Sequence, residues 1–457
     1  MTAAGRPAAR PPVALYVHVP FCLSICPYCD FVVYAGRSAR GEANRLEAFL
    51  DAVVVEVRLR SEAARRGFGA VARLASVYVG GGTPSLLAPR QVERLLASID
   101  GEFGIAQGAE VTMEVNPGSA DRGDLAGFRA AGVTRLSIGV QSMAGAELRR
   151  LGRRHSADDV RATVGQARRA GFDNLGVDLL YDVPGQTADS WRETVVAVLR
   201  LEPEHASAYA LDLSGASGGG EAEHLPASRG ALRWRQRARP EQDEDRAAAC
   251  YELAEELFAG AGLGWYELSN WSRPGSESRH NQAYWRWLPY EAVGPGAHAF
   301  DGGLRRRWNT AGLDAYVGAL LAHEPSLPAG GGETLDEPTA AAERAILALR
   351  TREGLPAAQS RLPVFGPALA WGRSAGLLEQ AAAADLRLTT RGRLLASEVF
   401  WRLLPQPPRT RVAQAGRAPV SADRRMPPRS ASPSPACDER PTSRPPVSSR
   451  ATRSSAS

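Results

Sequence analysis

The chain has 457 residues, 44% of them apolar, which is enough to bury a large core and excludes disordered, collagen-like and disulfide-stapled classes. Lys+Arg is 55 against 50 acids, yet no lysine occurs, and ten of the arginines against only three acids fall after Leu404. The remainder is slightly acidic, so the formal charge of +5 is no argument for a nucleic-acid partner, and none is expected.

The N-terminal stretch MTAAGRPAARPP has no apolar h-region, and residues 1–12 read as a disordered N-terminus. No run of 18 apolar residues occurs, which predicts no transmembrane segment and leaves only peripheral contact with a membrane open. Six short apolar runs follow, at residues 14–19, 74–79, 111–115, 134–140, 174–181 and 205–211, with helical periodicity between them. That alternation predicts an α/β fold of parallel βα units. Each run ends in its most unusual residues: PFCLSICPYC, GGGTP, Glu114 with Asn116 and Pro117, Gln141, Asp178 and Tyr209. In a sheet of parallel strands these ends share one face, where chemistry is placed.

Residues 214–245 are polar and rich in Gly, Arg and Glu, predicting a loop, and residues 246–262 predict an amphipathic helix. Residues 267–310 are aromatic-rich and include Trp271, Trp285, Trp287 and Trp308. Residues 336–404 predict a small helical or winged-helix-like domain, with LRLTTRGRLL as a short strand, a turn and a closing helix. Residues 405–457 hold eleven prolines, many serines and no aromatic residue, predicting a disordered Pro/Ser/Arg-rich tail.

Of the five cysteines, Cys22, Cys26 and Cys29 fall within eight residues, while Cys250 and Cys437 stand apart. This is a ligand cluster and not a disulfide framework, and it points to a reducing, cytoplasmic location. Three thiolates at this spacing, directly after a strand, leave one iron of a [4Fe-4S] cubane open. An open iron can hold the amino and carboxylate groups of S-adenosylmethionine. The competing reading is a zinc site with His18 as fourth ligand.

With YVHVPFCLSICPYCDF, YVGGGTPSLL, EVNPGS, RLSIGVQS, LGRRHS, VDLLYDVPGQT, YELSNWSRPGSESRHNQAYW and VGPGAHAF in order, the chain resembles the radical S-adenosylmethionine superfamily over residues 15–404. Within it the resemblance is to the branch of oxygen-independent coproporphyrinogen III dehydrogenases and HemW-type haem chaperones. It implies an incomplete (β/α)6 barrel over residues 13–250, a haem-motif region over 251–335 and the small C-terminal domain. It also implies a [4Fe-4S] cluster on Cys22, Cys26 and Cys29. Gly81, Gly82 and Thr83, together with Glu114, Gln141, Arg153 and Asp178, would bind S-adenosylmethionine, and Tyr16 and Tyr28 would border the cluster.

The dehydrogenases of this branch carry a further cysteine where this chain has Phe31, and a longer N-terminal segment. The chaperone branch carries H-N-x-x-Y-W, here His280, Asn281, Tyr284 and Trp285. A neutral imidazole can ligate haem iron, and the aromatic rings offer flat area to a macrocycle. The resemblance therefore implies a haem chaperone that passes haem to acceptor proteins, with no catalytic residue assigned; radical decarboxylation of coproporphyrinogen III is the alternative, and a zinc-stabilised binding protein a weaker one. His298, in GPGAHAF, is the rival haem ligand to His280. Two positions depart from the family pattern: Asp182 replaces a glycine, placing a charge near the cofactor face, and Ser214 replaces a glutamate.

Overall fold

Runs of Val, Leu and Ile that are buried on both faces form the centre of one sheet, as parallel strands covered by helices require. The computed structural model describes residues 8–38, 45–69, 72–213, 228–381 and 386–405; the tail 406–457, with Cys437, lies outside them, as do most of residues 1–12 and the stretch 214–227 with Ser214. The six expected strands are β1 (Ala14–Val19), β2 (Leu74–Gly81), β3 (Ile105–Val115), β4 (Arg135–Gln141), β5 (Leu175–Tyr181) and β6 (His205–Ala210), and they lie side by side, parallel, in chain order. β3 begins six residues earlier than its apolar run because Ile105 pairs with Leu74, and the register then shifts so that pairing resumes at Ser76 with Glu110, leaving Gln107 and Gly108 exposed between them.

Helices α1 (Leu46–Phe68), α2 (Pro89–Phe103), α3 (Ala157–Arg169) and α4 (Ala188–Leu199) cover the sheet. Phe49, Leu50, Val53 and Val57 of α1 repeat at three- and four-residue spacing and are buried against it. α3 begins in a capping box, Ser156 Oγ accepting from the Asp159 amide while the Asp159 carboxylate accepts from the Ser156 amide, and Thr187 with Ser190 repeats the device at α4.

The stretch expected to be a loop before residue 246 contains a helix, α5 (Arg229–Ala238). Its Trp234 and Ala238 pack on Leu151, Leu180, Val183 and Leu211 at the strand ends. The next helix, α6 (Glu244–Gly260), is the expected amphipathic one, started by the Asp243 carboxylate accepting from the Arg246 amide.

The sheet does not stop at six strands. β7 (Gly264–Glu267) and β8 (Asn270–Ser272) continue it antiparallel beyond β6. After helix α7 (Arg279–Trp285), strand β9 (Tyr290–Val293) pairs parallel with β1. β10 (His298–Phe300), β11 (Arg305–Asn309) and β12 (Gly330–Thr334) then extend that side antiparallel. Among the described residues this gives a twelve-stranded sheet in which neither outer member of the six-strand core is an edge. The aromatic-rich region of the sequence is thus the material that covers both edges.

Residues 337–403 gather around a separate apolar cluster that includes Leu349, Leu355, Phe365, Leu369, Leu377 and Val399. Helices Glu337–Leu349, Gly366–Ser374 and Ala396–Leu403 surround a short antiparallel pair, Leu378–Gln380 with Leu386–Leu388.

Candidate functional site

The C-terminal ends of the parallel strands open on a cavity of about 420 Å³. Its walls include Cys22, Cys26 and Cys29 from the loop after β1 and, from the other strand ends, Gly81, Gly82, Thr83, Glu114, Gln141 and Asp178, with Tyr28 and Arg153 beside them. Eleven of the residues singled out from motifs more than a hundred positions apart therefore meet in one place. Gly81 has φ +109°, and a Cβ there would lie 2.6 Å from the His18 ring; at Gly82 it would lie 2.7 Å from the Phe21 carbonyl oxygen. The turn after β2 thus has no room for side chains.

A belt of hydrogen bonds ties two of the cysteines together. Thr83 Oγ1 donates to Cys22 Sγ at 3.4 Å, Asn116 Nδ2 to Thr83 Oγ1 at 2.9 Å, Arg153 Nη2 to Asn116 Oδ1 at 2.6 Å, and Arg153 Nη1 reaches Cys26 Sγ at 3.8 Å. Asn116 stood out in the sequence as a strand-end residue beside Glu114, but without a role. Burial pushes the Cys22 thiol up to about 11 and the Cys29 thiol to about 12, so a metal centre held by them would displace their protons.

Burial, and next the neighbouring Asp178, push Glu114 up to about 7, although it accepts from Tyr78 Oη at 2.9 Å and the Gly81 amide at 3.0 Å. Burial likewise raises Asp178, which accepts from Ser137 Oγ at 2.9 Å. Two desolvated carboxyls beside a thiol cluster suit a ligand that brings a positive charge and hydroxyl groups. The zinc reading loses its fourth ligand here. Both ring nitrogens of His18 are occupied, Nδ1 by Tyr16 Oη at 3.0 Å and Nε2 by the Val32 carbonyl at 2.8 Å.

The cysteine loop is clamped from α5. Arg235, 7% exposed in its side chain, donates to the Pro27 carbonyl at 3.1 Å, the Cys29 carbonyl at 3.1 Å and Asp30 Oδ1 at 2.5 Å. Sequence reasoning missed it because nothing local distinguishes this arginine from its neighbours Arg233 and Arg237.

A second cavity, of about 530 Å³, lies beside β1, β9 and β10. Tyr284, Trp285, Trp287, Tyr290 and Phe300 line it, with His298 and Arg306. The rings meet edge to face, Tyr284 with Tyr290 at 4.6 Å between centroids and Trp287 with Phe300 at 4.7 Å. Phe31, 67% exposed, lines both cavities, so the segment just after Cys29 is their common wall.

Several expected residues lie elsewhere than the motifs suggest. Tyr16 lines the second cavity and not the first. Asn281 sits in the first turn of α7, where its amide donates to Ser278 Oγ at 3.3 Å. His280 is 1% exposed and lines neither cavity; Nδ1 faces Ser76 Oγ at 3.1 Å and Nε2 faces Tyr284 Oη at 2.8 Å. Burial holds it down at about 3, so it is neutral at any physiological pH. The Glu110 carboxylate caps this helix, accepting from Ser278 Oγ and from the Arg279 and His280 amides. Asp182 occupies a left-handed turn with φ 55°, the conformation that favours glycine, and pairs with Arg246. It lines neither of these cavities, so its charge is neutralised away from the cofactor face.

The Radical SAM superfamily model matches residues 16–198. The chain is 37% identical over 398 residues to the "Heme chaperone HemW" of Mycobacterium tuberculosis, covering 87% of this chain and 96% of that protein. It is 31% identical over 350 residues to the "Heme chaperone HemW" of Lactococcus lactis, covering 75% and 83%. Among solved structures, the radical SAM enzyme coproporphyrinogen III oxidase (HemN) of Escherichia coli superposes with a TM-score of 0.70 at 21% identity, over 86% of this chain and 90% of that one, a likeness of fold.

Proposed function

We propose that this chain, which belongs to the HemW family within the radical SAM superfamily, is a haem chaperone: it binds haem and hands it to acceptor proteins from a scaffold carrying a [4Fe-4S] cluster and S-adenosylmethionine. The observation that carries this reading is a second, aromatic-walled cavity that adjoins the cysteine cavity yet is separate from it. A flat macrocycle needs apolar area on its faces, which edge-packed Tyr, Trp and Phe rings provide.

In this reading Cys22, Cys26 and Cys29 hold the cluster, Arg153 and Thr83 donate to their sulfurs, and Arg235 holds the loop. The cluster would supply one open iron and an electron to the cofactor. Glu114 and Asp178, which line the cavity, would take the cofactor's ammonium and hydroxyl groups, Gln141 would add an amide, and the side-chain-free turn at Gly81 and Gly82 would admit its methionyl end. Phe31 stands where the dehydrogenases of the branch place a further cysteine, and for that reason the reading assigns no decarboxylation.

No helix among the described residues is long and apolar enough to cross a membrane, and a cytoplasmic location with no nucleic-acid partner fits the cysteine use and the charge balance. Anaerobic reconstitution followed by haem titration tests the proposal. About four iron per chain, lost in each Cys→Ala variant, and saturable haem binding are expected. Stoichiometric zinc without visible absorption, or no haem uptake, would overturn it. Carbon dioxide release from coproporphyrinogen III would transfer the case to the dehydrogenase reading.

A further inference from the structure

Along β4 the side chains alternate, and Leu136, Ile138 and Val140 pack into the apolar core. Ser137, Gly139 and Gln141, on the other face, line the cysteine cavity. Arg135 begins that same row one layer beneath the cavity and is 2% exposed. Neighbouring strands supply the rest of its layer, with Thr112 of β3 paired to Arg135, and Gly176 of β5 paired to His205 of β6. Gly176 leaves the room that the guanidinium fills, since a Cβ there would lie 2.8 Å from Arg135 Nη2 and 3.4 Å from His205 Nδ1.

A buried guanidinium is ordinarily held by a carboxylate in contact with it. Among the described residues Arg135 makes no ion pair, and Arg135 Nε, Thr112 Oγ1 and His205 Nδ1 have no hydrogen-bond partner. Burial, and next the guanidinium itself, hold His205 well below its usual range, so it brings no second cation to the layer.

The carboxyl that this charge acts on is Asp178, two residues beyond Gly176 on β5 and about 7 Å further along the strand, in the cavity wall. Burial raises Asp178; hydrogen bonds from Ser207 and Ser137 oppose the rise, followed by the charges of Arg135 and Arg153. The other ionisable groups that face it are Tyr78 on β2, Glu114 on β3 and Tyr209 on β6. Arg153 is committed elsewhere, to Asn116 Oδ1, the Gly139 carbonyl and Cys26 Sγ. Arg135 has no such commitment, which leaves its charge to the cavity floor.

We infer that Arg135 is a positioning residue for S-adenosylmethionine: from beneath the floor it balances the Asp178 carboxylate and so fixes it as an acceptor for the cofactor's ribose hydroxyl groups. This rests on the cofactor part of the reading above. Glu114 and Asp178 share one cavity, where like charges oppose each other's ionisation, and a cation under one of them separates their roles.

The test is calorimetry of S-adenosylmethionine binding to the anaerobically reconstituted full chain from about pH 6 to 8. Glu114 titrates at about 7, so the comparison is made in the Glu114→Gln background, where it does not mask the response of Asp178. Adding Arg135→Met is expected to weaken binding roughly tenfold at the acid end, with the gap closing as pH rises, because the unbalanced carboxyl ionises later. Arg135→Lys keeps the charge and should keep the parent's profile. In an Asp178→Asn background Arg135→Met should cost no further affinity, a result that a merely structural role would not give. Arg135→Gln, neutral but polar, replaces Arg135→Met if circular dichroism shows the latter unfolded. The inference is overturned if the neutral variant binds as its parent does with the same profile, if Arg135→Lys loses as much as the neutral variant, or if the loss is equal with and without the Asp178 carboxylate. If wild type binds no S-adenosylmethionine, the cofactor reading itself falls, a result distinct from these.

Discussion

Arg235→Ala removes from the cysteine loop the α5 side chain that bonds to it. The guanidinium donates to the carbonyls of Pro27 and Cys29 and to Asp30, and so fixes the loop backbone on both sides of Tyr28 and Cys29. A hydrogen bond with a charged partner contributes about 1.5–3 kcal/mol. Asp30 is 60% exposed and rehydrates when released, so its share is small. The two carbonyls can recover part of their bonding from water, which leaves a net loss of roughly 2–3 kcal/mol, or about 30- to 150-fold more of the loop in an open form. Because the loss is confined to the loop, it should appear in the cluster before it appears in the fold. After anaerobic reconstitution, the visible absorption of the Arg235→Ala cluster should decay in air at least roughly ten times faster than wild type, with Arg235→Lys intermediate since one ammonium cannot serve both carbonyls in the fork geometry. Equal decay and equal iron content in Arg235→Ala and wild type would refute the clamp.

Glu114, raised to about 7 by burial, must ionise to meet an ammonium group, so S-adenosylmethionine binding should tighten as pH rises from 6 to 8; calorimetry on Glu114→Gln should show weaker binding with a flatter profile. The sign for stability is opposite: a raised carboxyl contributes stability below about 4.5 that is lost as pH passes 7, so the cofactor-free Glu114→Gln protein should melt higher than wild type at pH 8 relative to pH 5. Asp182→Gly should lower the melting temperature, since Arg246 loses a mostly buried partner worth about 1–3 kcal/mol even after the gain at φ 55°, while leaving cofactor affinity unchanged; a change in affinity would put Asp182 back at the cofactor face. Asn116→Ala cuts the belt between Thr83 and Arg153 and should reduce iron retention in chelator challenge, whereas retention equal to wild type would make the belt incidental to the cluster.

The six parallel strands were legible because strands buried on both faces leave uninterrupted apolar runs, and the strand-end residues were legible because chemistry collects at that phase of every βα unit. The outer strands were not. Tyr290–Val293 and His298–Phe300 have four and three residues, too short to show a period of two, and their place is set by Tyr290–Val293 pairing with β1, far away in sequence, with β10 and β11 then added beside it. Helix α5 was hidden for a related reason: its sequence is arginine-rich, and what fixes it is Trp234 and Ala238 packing on distant strand ends, with Arg235 bonding the cysteine loop. A motif also reports which residues travel together without reporting which way each one points. Tyr16 and His18 alternate onto one face of β1, which the period of a strand could have suggested, and that face turns out to border the aromatic cavity. His280 belongs to a motif whose Tyr284 and Trp285 reach the cavity, yet α7 turns the imidazole back toward Ser76.

The most direct test of the account is haem handover. Haem is loaded onto the anaerobically reconstituted chain, the complex is mixed with a haem-free acceptor haemoprotein or with a passive haem scavenger, and the Soret change is followed in each. The account predicts that haem loads in a saturable manner and moves to a cognate acceptor faster than it is lost to the scavenger. A chain that takes up no haem, or that releases carbon dioxide from coproporphyrinogen III when supplied with S-adenosylmethionine and a reductant, would contradict it.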